Sequence, residues 1–214
     1  MIVLGVLVSG SGTNLQAVLD AIARGSLDAR VAVVISNVAG VKALDRAREA
    51  GIEALVIDHK GFADRRAFDA ALVLALRQHA VEVVVLAGSM RIVTDVLLGA
   101  FPMRVVNVHP ALLPAFPGVN AQKQALDYGV RVAGCTVHFV DQGADTGPVI
   151  AQATVPVFDD DDEEKLRLRI LAREHELLPR VLQWIAEGRV VVEPSRVPAG
   201  GRARVRVRGD VQAL

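Results

Sequence analysis

The first hundred residues switch repeatedly between two hydrophobic periods. Ile2 to Val8 is an unbroken apolar run that ends at Ser9-Gly10-Ser11-Gly12. From Asn14 onward the apolar positions fall at Leu15, Val18, Leu19 and Ile22, the stripe of a helix, with Gly25 as its stop. Val31 to Ile35 predicts a second strand, Lys42 to Ala50 a helix stopped by Gly51, and Ala54 to Ile57 a short strand. Phe68, Ala71, Leu72, Ala75 and Leu76 mark a third helix, and Val81 to Leu86 another strand leading to Ala87-Gly88. Parallel strands need crossover connections, so the alternation predicts an α/β, Rossmann-like fold: a mostly parallel twisted sheet with helices on both faces. Ligands of such sheets bind beyond the carboxyl ends of the strands. The segments there are Ser9–Asn14, Ser36–Asn37, Gly88–Arg91 and Asn107–Gly118.

The second half is less regular. Arg104 to Val108 predicts a strand, followed by a loop holding Pro110, Pro114 and Pro117. Asn120 to Tyr128 reads as a helix stopped by Gly129, Val132 to Val140 as a strand, and Asp141 to Pro148 as a glycine-containing loop. Val149 to Val157 is extended. An acidic run, Asp159 to Glu164, precedes a helix expected from about Glu164 to Glu187, interrupted or restarted near Pro179. Beyond Glu193, Arg202, Arg204, Arg206 and Arg208 alternate with Ala and Val, a period of two that predicts a strand or an extended arm. The expected organisation is one domain over 1–193, with halves 1–100 and 101–193, and an Arg-rich tail over 194–214.

Composition narrows the class. At 52% hydrophobic and 4% aromatic, the core must be built from Val, Leu, Ile and Ala, which suits a buried parallel sheet. Formal net charge is zero, so no global field draws the chain to nucleic acid or a membrane. The single cysteine, Cys135, excludes a disulfide within the chain and a cysteine metal site, and fits a reducing compartment. No apolar run approaches the roughly 20 residues of a spanning helix. The expected location is the cytoplasm.

Three segments could do chemistry. Gly10-Ser11-Gly12-Thr13-Asn14 joins a strand to a helix, where glycines let the backbone approach an anion and the helix start supplies N–H groups and partial positive charge. The bland alternative is a tight turn with Thr13 or Asn14 as N-cap. It is neither a Walker loop, having no following Lys, nor a dinucleotide loop, since Leu15 stands at the third glycine position.

In Asn107-Val108-His109-Pro110, the two polar residues share one side of a strand, so an amide and an imidazole converge just past its end. That pair suits an oxyanion; the alternative is an Asn turn and a core histidine. In Asp141-Gln142-Gly143-Ala144-Asp145, the glycine allows a loop that could bring Asp145 to His109, where a carboxylate favours an imidazolium and can relay a proton. Equally, Asp141 and Asp145 could simply close turns. Glu174-His175 reads as a solvated helix face, Arg65, Arg66 and Arg91 as surface cations, and the acidic run as a solvated helix start. No metal pattern is present.

Together these segments resemble the folate-dependent formyltransferases. The likeness runs in the same order over about Met1 to Gly188. It rests on Ser9-Gly10-Ser11-Gly12-Thr13-Asn14-Leu15-Gln16-Ala17, Leu86-Ala87-Gly88-Ser89-Met90-Arg91-Ile92 and Asn107-Val108-His109-Pro110-Ala111-Leu112-Leu113-Pro114. It continues through Phe116-Pro117-Gly118, Gly134-Cys135-Thr136-Val137-His138-Phe139-Val140 and Asp141-Gln142-Gly143-Ala144-Asp145-Thr146-Gly147-Pro148.

The resemblance implies transfer of a formyl group from 10-formyltetrahydrofolate. The first loop points to the branch whose acceptor is the amine of 5'-phosphoribosylglycinamide. It implies Asn107, His109 and Asp145 as the catalytic trio, and Gly12, Thr13 and Asn14 as the substrate-phosphate loop, with Glu174 holding the glycinamide. It implies Met90, Arg91, Ile92 and Val93 as a folate-lining segment, Val140, Asp141 and Gly143 on the far wall, and Arg65 near the folate entrance. No metal is implied, and the partners are small molecules, with the protein a monomer or homodimer.

Asn120 stands where many relatives carry His, and the Arg-rich tail has no clear counterpart. Relatives that formylate a charged tRNA are expected to add a C-terminal RNA-binding domain, and those that pass formyl to water an N-terminal regulatory domain. A non-catalytic nucleotide- or RNA-binding module is the alternative of another class. The basic tail favours it, and the neutral charge opposes it.

Overall fold

Valine-rich runs form the centre of a sheet. In a computed structural model that describes residues 1–88, 91–195 and 202–209, β1 (Ile2–Val8), β2 (Ala29–Ser36), β3 (Glu53–Val56), β4 (Val83–Leu86) and β5 (Val105–His109) alternate with α1 (Thr13–Ala23), α2 (Lys42–Glu49), α3 (Arg65–Gln78) and α4 (Asp95–Ala100). Pairings from β1 to β2 and β4, β2 to β3, and β4 to β5 are all parallel. Every residue of β4 is buried, as expected of a strand covered on both faces. Chain order runs outward from β1 to β2 and β3 on one side and to β4 and β5 on the other. The reversal opens a crevice at the carboxyl ends of β1 and β4, the usual ligand position in open α/β sheets. The loops there begin at Ser9 and Ala87.

The remainder comprises α5 (Ala121–Tyr128), β6 (Val132–Phe139), β7 (Val149–Pro156), α6 (Glu163–Ala186), β8 (Val190–Glu193) and β9 (Arg204–Val207). The seven strands of the main sheet are hydrogen-bonded in the order β3-β2-β1-β4-β5-β6-β7, with β6 and β7 antiparallel. The fold is therefore α/β and mostly parallel. The chain divides into two compact units, Met1–Asn107 and Val108–Leu214. In the second, α6 packs on β6 and β7 through Leu166, Ile170, Leu177, Leu178 and Leu182, all essentially inaccessible. Burying each such side chain stabilises the fold by about 1.5–3 kcal/mol.

The structure departs from the sequence reading in several places. α6 is continuous, with Pro179 inside it and buried. A proline removes one backbone hydrogen bond, and the apolar packing on both sides of it outweighs that loss. Helix α4 was not read from the hydrophobic pattern because only Leu97 of its six residues is buried. Of the alternating arginines, Arg204 and Arg206 lie in a strand, β9, which pairs antiparallel with β8, a partner the pattern did not single out. Arg206 lies 3.8 Å from Glu193.

Candidate active site

In the first unit, the turn after β1 is set by Gly12. Its φ of 71° is left-handed, and a Cβ there would lie 2.8 Å from the Ala43 backbone, so only glycine fits without displacement. Gly12 is itself the N-cap of α1, one residue earlier than the expected Thr13 or Asn14. Thr13 opens the helix and Asn14 is buried. The first turn of any helix leaves N–H groups without a carbonyl one turn back, and with the helix dipole these make an anion site. Arg46 of α2 braces the loop: its Nε donates to the Ser11 carbonyl at 3.0 Å and its Nη1 to Gln16 Oε1 at 2.9 Å. Ser9 Oγ donates to Asn37 Oδ1 at 2.7 Å. Arg46 was not found from sequence. It lies half-buried on α2, 35 positions from Ser11, and reaches the loop only through the fold.

The segment after β4 is held differently. Arg91 places its guanidinium 5.1 Å from the Phe68 ring centre, Ile92 is exposed, and Val93 is buried. Met90 lies outside the described residues. Thr94 caps α4, and both its backbone N–H (2.6 Å) and its hydroxyl (2.8 Å) donate to Asp69 Oδ2. Asp69 is a buried carboxylate on α3 that the sequence reading missed; its position beside Phe68 on the buried face was the available signal. Arg65 is the exposed first residue of α3, and the neighbouring Arg66 pairs with Asp95.

Strand β5 carries Asn107, half-buried, and His109, 4% exposed. Two residues apart on one strand, they face the same side. In the second unit, His109 Nδ1 lies 3.4 Å from Asp145 Oδ2, and its Nε2 donates to the Phe116 carbonyl at 2.9 Å. Asp145 also accepts the Gly118 N–H at 2.8 Å. Its Oδ1 lies 3.7 Å from Nε2 of a third group, His138 on β6. The carboxylate is thus bracketed by two imidazoles, and its backbone is left-handed at φ 54°, a conformation uncommon outside glycine.

His138 is almost fully buried and donates Nδ1–H to the Phe139 carbonyl. Burial lowers its pKa below the usual histidine value, more than Asp145 raises it. Sequence reasoning did not single out His138. It stands on β6 at an apolar-run position, where a histidine is an exception worth notice.

The other positions resolve unevenly. Asp141 Oδ1 accepts the Gly143 N–H at 3.0 Å and the Thr146 hydroxyl at 2.6 Å, so Asp141 closes its own turn. A Cβ on Gly143 would meet Thr146 Oγ1 at 1.9 Å, which keeps that turn to glycine. Val140 is half-buried. Glu174 is 6% exposed, which overturns the solvated-face reading. It sits four residues after Ile170 and three before Leu177, on the apolar stripe of α6, and that spacing was the sequence signal for burial. Cys135 is fully buried on β6, its pKa pushed up to about 12 by burial and by the nearby Glu174 carboxylate. Such a thiol stays protonated and is a poor nucleophile. Asn120 is left-handed ahead of α5 and makes no side-chain cap bond.

Comparison with known proteins gives a consistent answer. The family described as formyl transferase matches residues 3–182. A phosphoribosylglycinamide formyltransferase of Escherichia coli is 42% identical over 185 residues, covering 86% of this chain and 87% of its own. A trifunctional purine biosynthetic protein adenosine-3 of Drosophila melanogaster is 48% identical over 192 residues, 88% of this chain; the chain spans only 14% of that protein's length.

Among solved structures, glycinamide ribonucleotide transformylase 1 from Symbiobacterium toebii superposes with a TM-score of 0.91 at 54% identity, covering 97% of this chain and 94% of its own. That coverage exceeds what 1–193 alone could supply, so the tail, expected to lack a counterpart, is matched in part. The glycine turn, the strand-end Asn107 and His109, and the match across nearly the whole sheet lead to one conclusion: the chain belongs to the formyl transferase family.

Proposed function

We propose that the protein transfers the formyl group of 10-formyltetrahydrofolate to the amine of 5'-phosphoribosylglycinamide, in purine biosynthesis. The observation that carries this reading is the likeness, over most of both chains, to relatives named for that activity. The catalytic domain is residues 1–193. It works on small molecules, without nucleic acid or membrane, in the cytoplasm, as a monomer or homodimer.

The N–H groups at Gly12, Thr13 and Asn14 take the substrate phosphate, and Glu174 takes the glycinamide. Met90, Arg91, Ile92 and Val93, with Val140, Asp141 and Gly143, line the folate site, and Arg65 stands at its entrance. The amine attacks the formyl carbon directly. Charge moves to the formyl oxygen, where the Asn107 amide and His109 Nε2–H stabilise the tetrahedral oxyanion. That N–H now donates to the Phe116 carbonyl, so the oxyanion competes for it. Asp145 holds the other ring nitrogen and relays the proton released by the amine to the folate nitrogen as the bond to the formyl carbon breaks. Collapse expels tetrahydrofolate, and no covalent enzyme intermediate forms.

The test is an assay of purified protein with 10-formyltetrahydrofolate, with and without 5'-phosphoribosylglycinamide, following tetrahydrofolate release by absorbance. Release that requires the ribonucleotide is expected. Equal release without it would make water the acceptor and overturn the reading, as would no release in either case.

A further inference from the structure

We propose that Thr136 and Gln152 are positioning residues that hold the loop after β5 so that its far end meets His109 and Asp145. This deepens the reading of those two groups as reacting groups and rests on it.

Thr136 stands on β6 and is fully buried. A hydroxyl offers one donor and two acceptor sites, and all three are used here. Its Oγ1 donates to the Ala111 carbonyl at 2.6 Å, accepts the Leu113 N–H at 3.0 Å, and accepts Gln152 Nε2 at 3.0 Å. Gln152 lies directly opposite Thr136 on β7, and its Nε2 also donates to the Leu113 carbonyl at 2.9 Å. Both polar backbone groups of Leu113 are therefore held by this cross-strand pair.

The same loop then folds back through an Ala115 N–H to Leu112 carbonyl bond at 3.0 Å. It presents the Phe116 carbonyl to His109 Nε2 and the Gly118 N–H to Asp145 Oδ2. Its near end is fixed by Thr136 and Gln152, and its far end fixes the imidazole and the carboxylate. Neither residue touches a reacting group. Loss of the anchor moves the loop, and through it the relation of ring to carboxylate. A displacement of about 1 Å in a reacting geometry can cost about 10²-fold in rate, so the expected effect is on kcat.

The experiment compares Thr136→Val, Thr136→Ser and Gln152→Leu for kcat, for KM of each substrate, and for the NMR signals and pH titration of the His109 ring. Thr136→Val, of equal shape but without the hydroxyl, should lower kcat by about 10- to 100-fold, leave the ribonucleotide KM within about twofold, and shift the His109 ring signals. Thr136→Ser should restore both readouts. Gln152→Leu should move them in the same direction but less. Adding it to Thr136→Val should cost less than the product of the two losses, because both changes free Leu113.

A folded Thr136→Val protein with wild-type kcat and an unmoved His109 signal would overturn the proposal. So would a serine variant as impaired as the valine one. Should Thr136→Val fail to fold, Gln152→Leu, exposed on β7, decides on the same two readouts. The NMR readout does not depend on turnover, so it separates failure of this proposal from failure of the formyl-transfer reading.

Discussion

The two compact units hold their candidate groups by different means. In Met1–Asn107 the candidate phosphate loop is backbone: a left-handed glycine, the first turn of α1, and Arg46 clamped onto the Ser11 carbonyl. In Val108–Leu214 the candidate groups are acid–base side chains, with the buried His109 and His138 bracketing a half-buried Asp145. The contrast follows from chemistry. Gripping an anion asks only for fixed N–H dipoles, which a helix start supplies without titratable groups. Moving a proton asks for groups that change charge, and those must be shielded and oriented by neighbours.

The comparison predicts where substitutions act, and the sharpest break is at the strand end of β5. Replacing Asn107 or His109 with alanine should reduce kcat by about 10²–10³, the usual cost of one oxyanion donor. Steady-state kinetics that found a change only in KM would remove these residues from the chemistry.

Gly12→Ala should act in the opposite sense. The left-handed turn costs an L-residue about 1–2 kcal/mol, and the added methyl collides with the Ala43 backbone. The ribonucleotide KM should rise by about tenfold, equivalent to about 1.4 kcal/mol, while kcat moves less. Equal loss in kcat would erase the distinction between the two regions.

A smaller effect concerns pH. The pKa of His138 is lowered in the folded protein, chiefly by burial, so as pH falls the unfolded chain takes up this proton first. Its linkage penalty is absent above the ordinary histidine value of about 6.5 and grows below it. Melting temperatures measured from pH 8 to 5 should fall on acidification, and less steeply in His138→Gln than in wild type.

The smallest effect is expected at Cys135→Ser: kcat within about twofold of wild type, because the buried thiol stays protonated and takes no part in the transfer. A folded serine variant without turnover would refute direct transfer.

Much of the first unit was legible in the sequence. The apolar run Ile2–Val8 and the helical stripe that follows it required a parallel sheet, and the glycines at its first crossing marked the turn. Glu174 was misread on local grounds because its own neighbours on the chain, Arg173 and Glu176, form a charged surface pair. Only the longer spacing from Ile170 to Leu177 discloses the buried face. Pro179 misled in the other direction, since a local rule about proline carried no information on the packing around it.

The sequence by itself determined the alternation of strand and helix, the left-handed glycine turn and the pairing of Asn107 with His109. All of these depend on residues within one or two turns of each other, where backbone sterics and hydrophobic period suffice. Only the tertiary structure decided that Asp145 lies against His109, that Arg46 braces Ser11, and that Thr136 and Gln152 grip Leu113. Each of those joins residues 23 to 39 positions apart, and no local pattern records which distant donor will meet which acceptor once the apolar faces have packed.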